Sequence, residues 1–272
     1  MDLTGKIEIV GQSHTGLKRS HNEDCIGTDL TAGLVALADG MGGYKAGEVA
    51  SALAINTLVV DITDRLAAID HQGDDLQEFT PESLLAREIV EKSNDIIYQT
   101  ALAQPQYKGM GTTLVMALFY DNRVTVAHVG DSRMYRFRGS TLEQITVDHT
   151  LMQELIERGF YTREEARNSM NKNLVTRALG IDPEVQVDIQ EDLVLKNDIF
   201  LLCSDGLNDM VEDEEIRLTI KENADNLEEA AKKLIQQAND NGGNDNVSVI
   251  LVKSLESFPA KQSWIRKFVD WF

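Results

Sequence analysis

Two tight hairpin signals in the middle of the 272-residue chain constrain its fold most strongly. The apolar runs Thr113–Tyr120 and Arg123–Val129 are separated only by Asp121-Asn122, and a second pair of runs, Arg133–Arg138 and Thr141–Thr146, flanks Gly139-Ser140. Two-residue connections of this kind join neighbouring antiparallel strands, whereas parallel strands need a much longer crossover. The middle of the chain therefore predicts antiparallel sheets packed against helices, not a doubly wound parallel sheet.

Helical patterns lie on both sides of this strand-rich region, which indicates the α+β class. Apolar residues recur at helical spacing over Ala46–Leu66. Thr80-Pro81-Glu82 combines a capping hydroxyl, a proline at the first helical position and an acid in the first turn, and predicts a helix that runs to about Ala103. Later elements are predicted as the helices Glu212–Lys221 and Leu227–Ala238 and the strands Glu184–Ile189, Asp198–Cys203 and Val247–Val252.

The overall composition predicts one globular domain in a reducing compartment. No Gly/Ser-rich linker divides the chain, and its net charge of −19 argues against nucleic-acid binding. Two cysteines cannot define a disulfide framework. The first ten residues lack a secretory pattern, and we expect no apolar stretch that approaches the roughly 20 residues of a membrane span. We therefore expect a cytoplasmic protein with no transmembrane segment.

Three aspartates stand where apolar runs meet glycine-rich turns. Asp39 follows the run from Leu34, Asp205 follows the run from Phe200, and Asp245 precedes the last predicted strand. An aspartate at the end of a buried strand is rigidly held, and an adjoining glycine lets the backbone approach a ligand. Three such carboxylates suit Mg²⁺ or Mn²⁺ rather than zinc. The alternative is that each aspartate only caps its turn, since Asp-Gly is common in turns.

Six short motifs, which occur in order over roughly residues 7–253, resemble those of a known family. They are Arg19-Ser20-His21-Asn22-Glu23-Asp24, Ala38-Asp39-Gly40-Met41-Gly42-Gly43, Gly109-Met110-Gly111-Thr112-Thr113, Val129-Gly130-Asp131-Ser132-Arg133, Cys203-Ser204-Asp205-Gly206-Leu207 and Gly243-Asn244-Asp245-Asn246. The set is similar to the type 2C metal-dependent Ser/Thr protein phosphatases, bacterial branch. This resemblance implies a four-layer αββα sandwich, with two antiparallel sheets face to face and helices outside.

The resemblance also implies a centre of two Mn²⁺ or Mg²⁺ ions. By position, Asp39 would bridge the two metals and the Gly40 carbonyl would help to hold one of them. Asp205 and Asp245 would complete the ligands of the other metal. A water or hydroxide between the metals would then attack phosphorus in line. The implied activity is hydrolysis of phosphoserine and phosphothreonine in proteins, in opposition to a bacterial Ser/Thr kinase.

The same motifs imply roles for further charged residues. Arg19 is the expected phosphate clamp, because its guanidinium can donate two hydrogen bonds and stays charged; a surface ion pair is the alternative. Glu23 and Asp24 are expected to orient metal-bound waters rather than to bind metal, and turn capping stays open for Asp24. Asp131 is expected either to ligate a third metal or to stabilise its turn.

The proton donor for the leaving group has no assignment. Many eukaryotic members of the family have a histidine directly after the Asp-Gly pair, whereas this chain has Met41, which cannot donate a proton. His21 and His149 are the candidates nearby in sequence, although a lone histidine is more often a structural hydrogen-bonding residue.

The motifs divide the chain into a phosphatase domain, residues 1–256, and a tail, residues 257–272. Residues from about 150 to 180 would form the family's flap, whose mixed charges either contact a phosphoprotein or face solvent. Trp264, Phe268, Trp271 and Phe272 share one face of a helix in the tail. That face is expected either to pack on the domain or to contact a partner or a membrane surface.

Two other functions remain open at this stage. One is a catalytically silent phosphatase-like binding or sensor domain, which the presence of all three aspartates disfavours. The other is a binuclear hydrolase of small phosphate esters, which the sequence alone does not separate from a protein phosphatase.

Overall fold

The computed structural model describes residues 2–43, 45–69, 78–162, 165 and 174–259. Part of the predicted flap, at residues 163–164 and 166–173, lies outside the described residues. The aromatic face predicted for the tail, residues 264–272, also lies outside them.

The described residues form two antiparallel sheets. The five-stranded sheet has the order β1-β11-β10-β7-β8 and the six-stranded sheet has the order β2-β3-β5-β6-β9, with β4 paired to β3. The strands are β1 (Ile7–His14), β2 (Asp24–Asp29), β3 (Leu34–Met41), β4 (Gly111–Thr112), β5 (Leu114–Tyr120), β6 (Arg123–Val129), β7 (Arg133–Arg138), β8 (Thr141–Gln144), β9 (Asp188–Leu193), β10 (Ile199–Cys203) and β11 (Val247–Ser254).

Helices cover the outer faces of both sheets. They are α1 (Ala46–Leu66), α2 (Pro81–Ala103), α3 (Leu151–Glu157), the single turn α4 (Asp205–Asn208), α5 (Asp213–Glu222) and α6 (Leu227–Asp240), with a 3₁₀ turn at Pro105–Tyr107. Apolar residues of α1 and α2 pack on the six-stranded sheet, and those of α5 and α6 pack on the five-stranded sheet. The predicted four-layer αββα sandwich is confirmed.

The strand β3 shows why the central strands are apolar on both faces. Leu34 and Ala36 pack in the core beneath α1, whereas Val35 and Leu37 point into the core between the two sheets. All four residues are fully buried. A strand covered on both sides cannot alternate apolar and polar residues, and the continuous apolar run follows from this position.

Local signals in the sequence account for the best-predicted elements. Asp121 and Asn122 both have positive φ, 41° and 55°, as a two-residue turn with the twist of a hairpin requires. The Thr80 hydroxyl accepts a hydrogen bond from the backbone N–H of Ser83 and caps α2. The helix bounds predicted for Ala46–Leu66 are confirmed.

Several strands differ from the sequence prediction because their pairing partners decide their position. β9 lies at Asp188–Leu193 rather than Glu184–Ile189, and this polar edge strand is fixed by its register with β6. β2 was not predicted, and it forms by pairing with β3 along its whole length. The strand β3 itself continues past Asp39 because Gly40 and Met41 pair with β4.

Among the described residues one helix, α1, has the length and apolar composition of a membrane span, with a mean hydropathy of 1.3. An apolar stretch of this length differs from the sequence prediction. Ala50 and Ala54 on this helix are fully buried and belong to the core formed with the six-stranded sheet. A core helix meets the same length and composition test.

The core between the sheets should dominate stability. Phe119 and Phe200 come from opposite sheets and meet edge to face, with ring centroids 5.3 Å apart. We expect Phe200→Ala to lower the free energy of unfolding by about 3–5 kcal/mol, because it removes a buried ring and leaves a cavity. Urea unfolding monitored by circular dichroism measures this change.

The control for that measurement is Leu102→Ala, since the side chain of Leu102 is exposed on α2. This variant should stay within about 0.5 kcal/mol of the wild type. Equal effects of the two variants would contradict a shared core between the sheets.

Candidate metal centre

Antiparallel pairing brings the three motif aspartates to one edge of the sandwich. β10 ends at Cys203, which pairs with Val249 of β11, so the residues after β10 and before β11 lie at the same edge. Asp205 and Asp245 stand at these two positions. Asp39 comes from the other sheet, and all three aspartates line one cleft.

The turns that carry Asp205 and Asp245 are in direct backbone contact. A Cβ atom at Gly206 would lie 1.9 Å from the carbonyl oxygen of Asn246, closer than any side chain can approach. The glycine of this Asp-Gly pair is therefore required by close approach of two backbones, and it sets the distance between the two aspartates.

The cleft has a volume of about 340 Å³ and a strongly negative lining. Its charged side chains are one guanidinium and five carboxylates, those of Arg19, Glu23, Asp39, Asp131, Asp205 and Asp245. The backbone of Gly40 also lines it. A cleft of this charge repels a phosphate ester unless cations bind there, because bound divalent ions become the largest local charges.

Desolvation and mutual repulsion disfavour the ionised forms of the central aspartates. Desolvation, with the charges of Asp24 and Asp205, raises the pKa of Asp39 well above its usual range, although part of the residue still faces the cleft. Desolvation, with the charges of Asp131 and Asp245, raises the pKa of Asp205 in the same way. A divalent cation between these groups would favour the ionised forms again.

Two buried carboxylate oxygens at this site have no hydrogen-bond partner within the described structure, Asp24 Oδ1 and Asp205 Oδ1. Buried polar atoms normally have a partner, so each such exception needs a physical reason. Carboxylate oxygens are the ligands that Mg²⁺ and Mn²⁺ prefer. The donor set therefore fits hard divalent cations.

Asp24 joins the edges of the two sheets. It is the register partner of Asp39 in the β2–β3 pair. Its Oδ2 accepts hydrogen bonds from the hydroxyls of Ser204, at 2.8 Å, and Ser248, at 2.6 Å. Desolvation raises the pKa of Asp24 to about 6 against the opposing effect of these hydroxyls. Neither serine has a role that the sequence predicted.

Arg19 and Glu23 reach the cleft from the loop between β1 and β2. Arg19 Nη2 donates to Asp245 Oδ2 at 2.6 Å, and its side chain is 52% exposed. The backbone N–H of Glu23 donates to Asn246 Oδ1 at 2.7 Å. The structure thus places Arg19 beside Asp245 and Glu23 beside Asn246, a further cleft residue for which the sequence predicted no role.

Asp131 lies on the turn after β6 and is buried in the cleft lining. Desolvation and the charge of Asp148 raise its pKa to about 6. The hydroxyl of Thr113 accepts from the backbone N–H of Asp39 and shares a 2.7 Å hydrogen bond with Ser132. Thr113 therefore ties the Asp39 strand to the Asp131 turn, a role that the Gly-Met-Gly-Thr-Thr motif does not reveal.

The protein phosphatase 2C family model matches residues 10–252 of the chain. This chain belongs to the protein phosphatase 2C family. A serine/threonine phosphatase of Listeria welshimeri is 39% identical over 241 residues, which cover 88% of this chain and 92% of that protein.

Solved structures of the family agree with the fold. The crystal structure of the Mycobacterium tuberculosis serine/threonine phosphatase PstP/Ppp has a TM-score of 0.81 and 38% identity, and the match covers 92% of this chain and 99% of that one. A structure of the PstP catalytic domain in complex with two manganese ions has a TM-score of 0.77, with the same identity and coverage.

Neither His21 nor His149, the two candidate proton donors, is among the described residues that line the cleft. His149 is buried, its Nδ1 accepts from the backbone N–H of Gly130 at 3.1 Å, and its Nε2 lies 3.2 Å from Asp188 Oδ2. This pattern places the proton of the neutral ring on Nε2. The leaving-group acid stays unassigned.

His128, His149 and Asp188 lie close enough together to form a candidate metal group. The two rings are stacked, with centroids 4.6 Å apart. Because His149 Nδ1 already accepts from Gly130, Nε2 carries a proton and is not a free metal ligand. The contacts of His149 with Gly130 and with Asp188 instead form a brace between the turn before Asp131 and β9.

The brace predicts a specific loss of stability in acid. Burial, together with the charges of His128 and Arg177, lowers the pKa of His149 from 6.5 to about 4. Asp188 opposes this shift only in part. Between these values the unfolded chain binds more protons, so stability falls as the pH falls from about 6.5 toward 4. His149→Asn keeps an acceptor for the Gly130 N–H but cannot titrate.

Between pH 7 and pH 5, the wild type should lose on the order of 1 kcal/mol more stability than His149→Asn, as measured by urea unfolding. Identical losses in the two proteins would show that His149 does not titrate below its ordinary range.

Proposed function

We propose that this phosphatase 2C protein hydrolyses phosphoserine and phosphothreonine in bacterial proteins. The observation that carries the proposal is the convergence of five carboxylates and one arginine on a single cleft. When all are ionised they leave four uncompensated negative charges, equal in magnitude and opposite in sign to the charge of two divalent cations. The relatives that match this chain are named serine/threonine phosphatases, and this supports protein substrates.

We further propose that Asp39, the Gly40 carbonyl, Asp205 and Asp245 hold two Mn²⁺ or Mg²⁺ ions, and that Asp131 contributes to a third. The partnerless oxygen of Asp205 and the raised pKa of Asp39 support this ligand set. When bound, such ions supply positive charge to phosphoryl oxygens and lower the pKa of water. The manganese in the PstP catalytic domain is consistent with it.

The remaining cleft residues position the substrate and solvent. Arg19 is half exposed at the cleft, so its guanidinium can donate hydrogen bonds to the oxygens of a phosphoryl group while it stays beside Asp245. Glu23 lines the cleft and is proposed to orient water there. Asp24, fixed by Ser204 and Ser248, is proposed to hold Asp39 and its surrounding water in place.

Two further parts of the proposal concern cellular context. The substrates are proposed to be products of a cognate Ser/Thr kinase in the cytoplasm, and the free thiols of Cys25 and Cys203 support a reducing compartment. The domain is proposed to end near residue 256 and the tail to contact a partner or a membrane surface. Since Phe258 packs in the core between the sheets, a segment available for that contact begins beyond it.

Phosphate release from a phosphothreonine peptide tests the proposed chemistry. The wild type should be active with Mn²⁺ and inactive with excess EDTA. Asp39→Asn should lower turnover at least about a hundredfold, because it removes a ligand charge from the metal centre. Turnover that survives both EDTA and Asp39→Asn would contradict the metal-dependent function.

A matched control is Asp198→Asn. Asp198 is also a buried aspartate, but it pairs with Arg138 and does not line the cleft. This variant should lose stability and keep metal-dependent turnover. In the same assay, preference for a small ester over phosphopeptides would favour the alternative of a small-ester hydrolase, and inactivity of the metal-loaded wild type would favour a silent binding domain.

A further inference from the structure

The loop that carries Arg19, residues 15–23, has no helix or strand of its own. It connects β1 to β2 and is exposed over much of its length. A phosphate clamp must nevertheless be placed accurately, because an error of about 1 Å at a reacting centre can cost about a hundredfold in rate. Contacts from outside the loop must therefore hold it.

The side chain of Asn246 supplies three of these contacts. Its Nδ2 donates to the carbonyl oxygens of Thr15 and His21, each at 2.9 Å. Its Oδ1 accepts from the backbone N–H of Glu23 at 2.7 Å. Both amide hydrogens are thus used on the loop, and Asn246 is only 4% exposed. The three bonds grip the loop at its start and at its end.

The backbone just before Asn246 supplies the other contacts that hold the loop. The N–H groups of Leu17 and Lys18 both donate to the carbonyl oxygen of Gly243, at 2.8 and 3.1 Å. Gly16 has a φ of +78°, and a Cβ atom there would lie 2.1 Å from the carbonyl oxygen of Asp245. The loop therefore lies flush against the turn formed by residues 243–246.

We propose that Asn246 is a positioning residue that fixes the Arg19 loop on the turn of Asp245, and so sets the place of the phosphate clamp relative to the metal ligands. The inference rests on the proposed clamp function of Arg19. Asn246 acts through the loop, and Arg19 Nη2 at 2.6 Å from Asp245 Oδ2 is the result of that placement.

The chemistry of the side chain explains why an asparagine is needed. An aspartate has the same shape, but its carboxylate has no hydrogen to donate to the carbonyls of Thr15 and His21. It would place negative charge against two carbonyl oxygens and lose both bonds. Alanine would leave these groups, and the Glu23 N–H, without their partner.

Asn94 on α2 is a matched control. It is buried, its Nδ2 donates to the carbonyls of Asp182 and Pro183, at 3.1 and 3.4 Å, and its Oδ1 accepts from the N–H of Gly180 at 2.8 Å. The pattern is that of Asn246 applied to a different loop, and Asn94 does not line the cleft. Asn94→Ala therefore reproduces the structural cost without affecting the Arg19 loop.

A double-mutant cycle tests the proposal on Mn²⁺-loaded full-length protein with a phosphothreonine peptide. Asn246→Ala should raise KM and the inhibition constant of inorganic phosphate by about tenfold, with a smaller change in kcat, because clamp placement affects phosphate binding. In an Arg19→Ala background, Asn246→Ala should produce no further rise. Asn94→Ala should leave KM unchanged.

Hydrogen exchange provides a readout that does not depend on activity. Amides of residues 15–23 should exchange faster in Asn246→Ala than in the wild type, whereas Asn94→Ala should accelerate exchange near Gly180 only. Asn246→Asp provides the same comparisons if the alanine variant is unstable.

Equal rises in KM from Asn246→Ala in the wild-type and Arg19→Ala backgrounds would overturn the proposal. Unchanged exchange over residues 15–23 would overturn it as well. If Arg19→Ala itself leaves KM unchanged, the clamp function fails first, and that result is distinguishable because exchange still reports on the loop.

Discussion

Crowding of carboxylates at one edge of two packed sheets is the constraint on which the rest of this structure depends. Asp39, Asp205 and Asp245 share a cleft with two further acids and one arginine. Desolvation and repulsion among them oppose ionisation, as the raised pKa of Asp39 shows. Folding must therefore hold these groups together by interactions elsewhere, and cation binding can recover part of that cost.

The sandwich provides the opposing interactions. The core between the sheets, with the Phe119–Phe200 contact, fixes the two sheets to each other, and the helices bury their outer faces. Within this frame, local contacts set the ligand positions. Gly206 allows the Asp205 turn to touch the backbone of Asn246, and Thr113 holds the strand of Asp39. The rigid core thus fixes the positions of the aspartates at the edge of the sheets.

Local chemistry made part of this fold predictable. The Asp121-Asn122 hairpin and the Thr80 cap are decided by a few adjacent residues, and both were found from sequence. The cleft residues Asp39 and Asp205 stood out because glycines follow them. Contacts between distant segments had no such signal. Three features depend on contacts between segments that are far apart in sequence. They are the hydrogen bond of Asn246 to Thr15, the hydrogen bond of Ser204 to Asp24, and the register of β9 with β6.

Calorimetric titration of Mn²⁺ into the metal-stripped protein tests the central claim most directly, because it measures the ions themselves. The account predicts about two strongly bound ions per wild-type chain and the loss of at least one in Asp205→Asn, whose fold should persist by circular dichroism. Absence of binding, or binding that is equally strong and of equal stoichiometry in Asp205→Asn, would contradict a metal centre built from the converging aspartates.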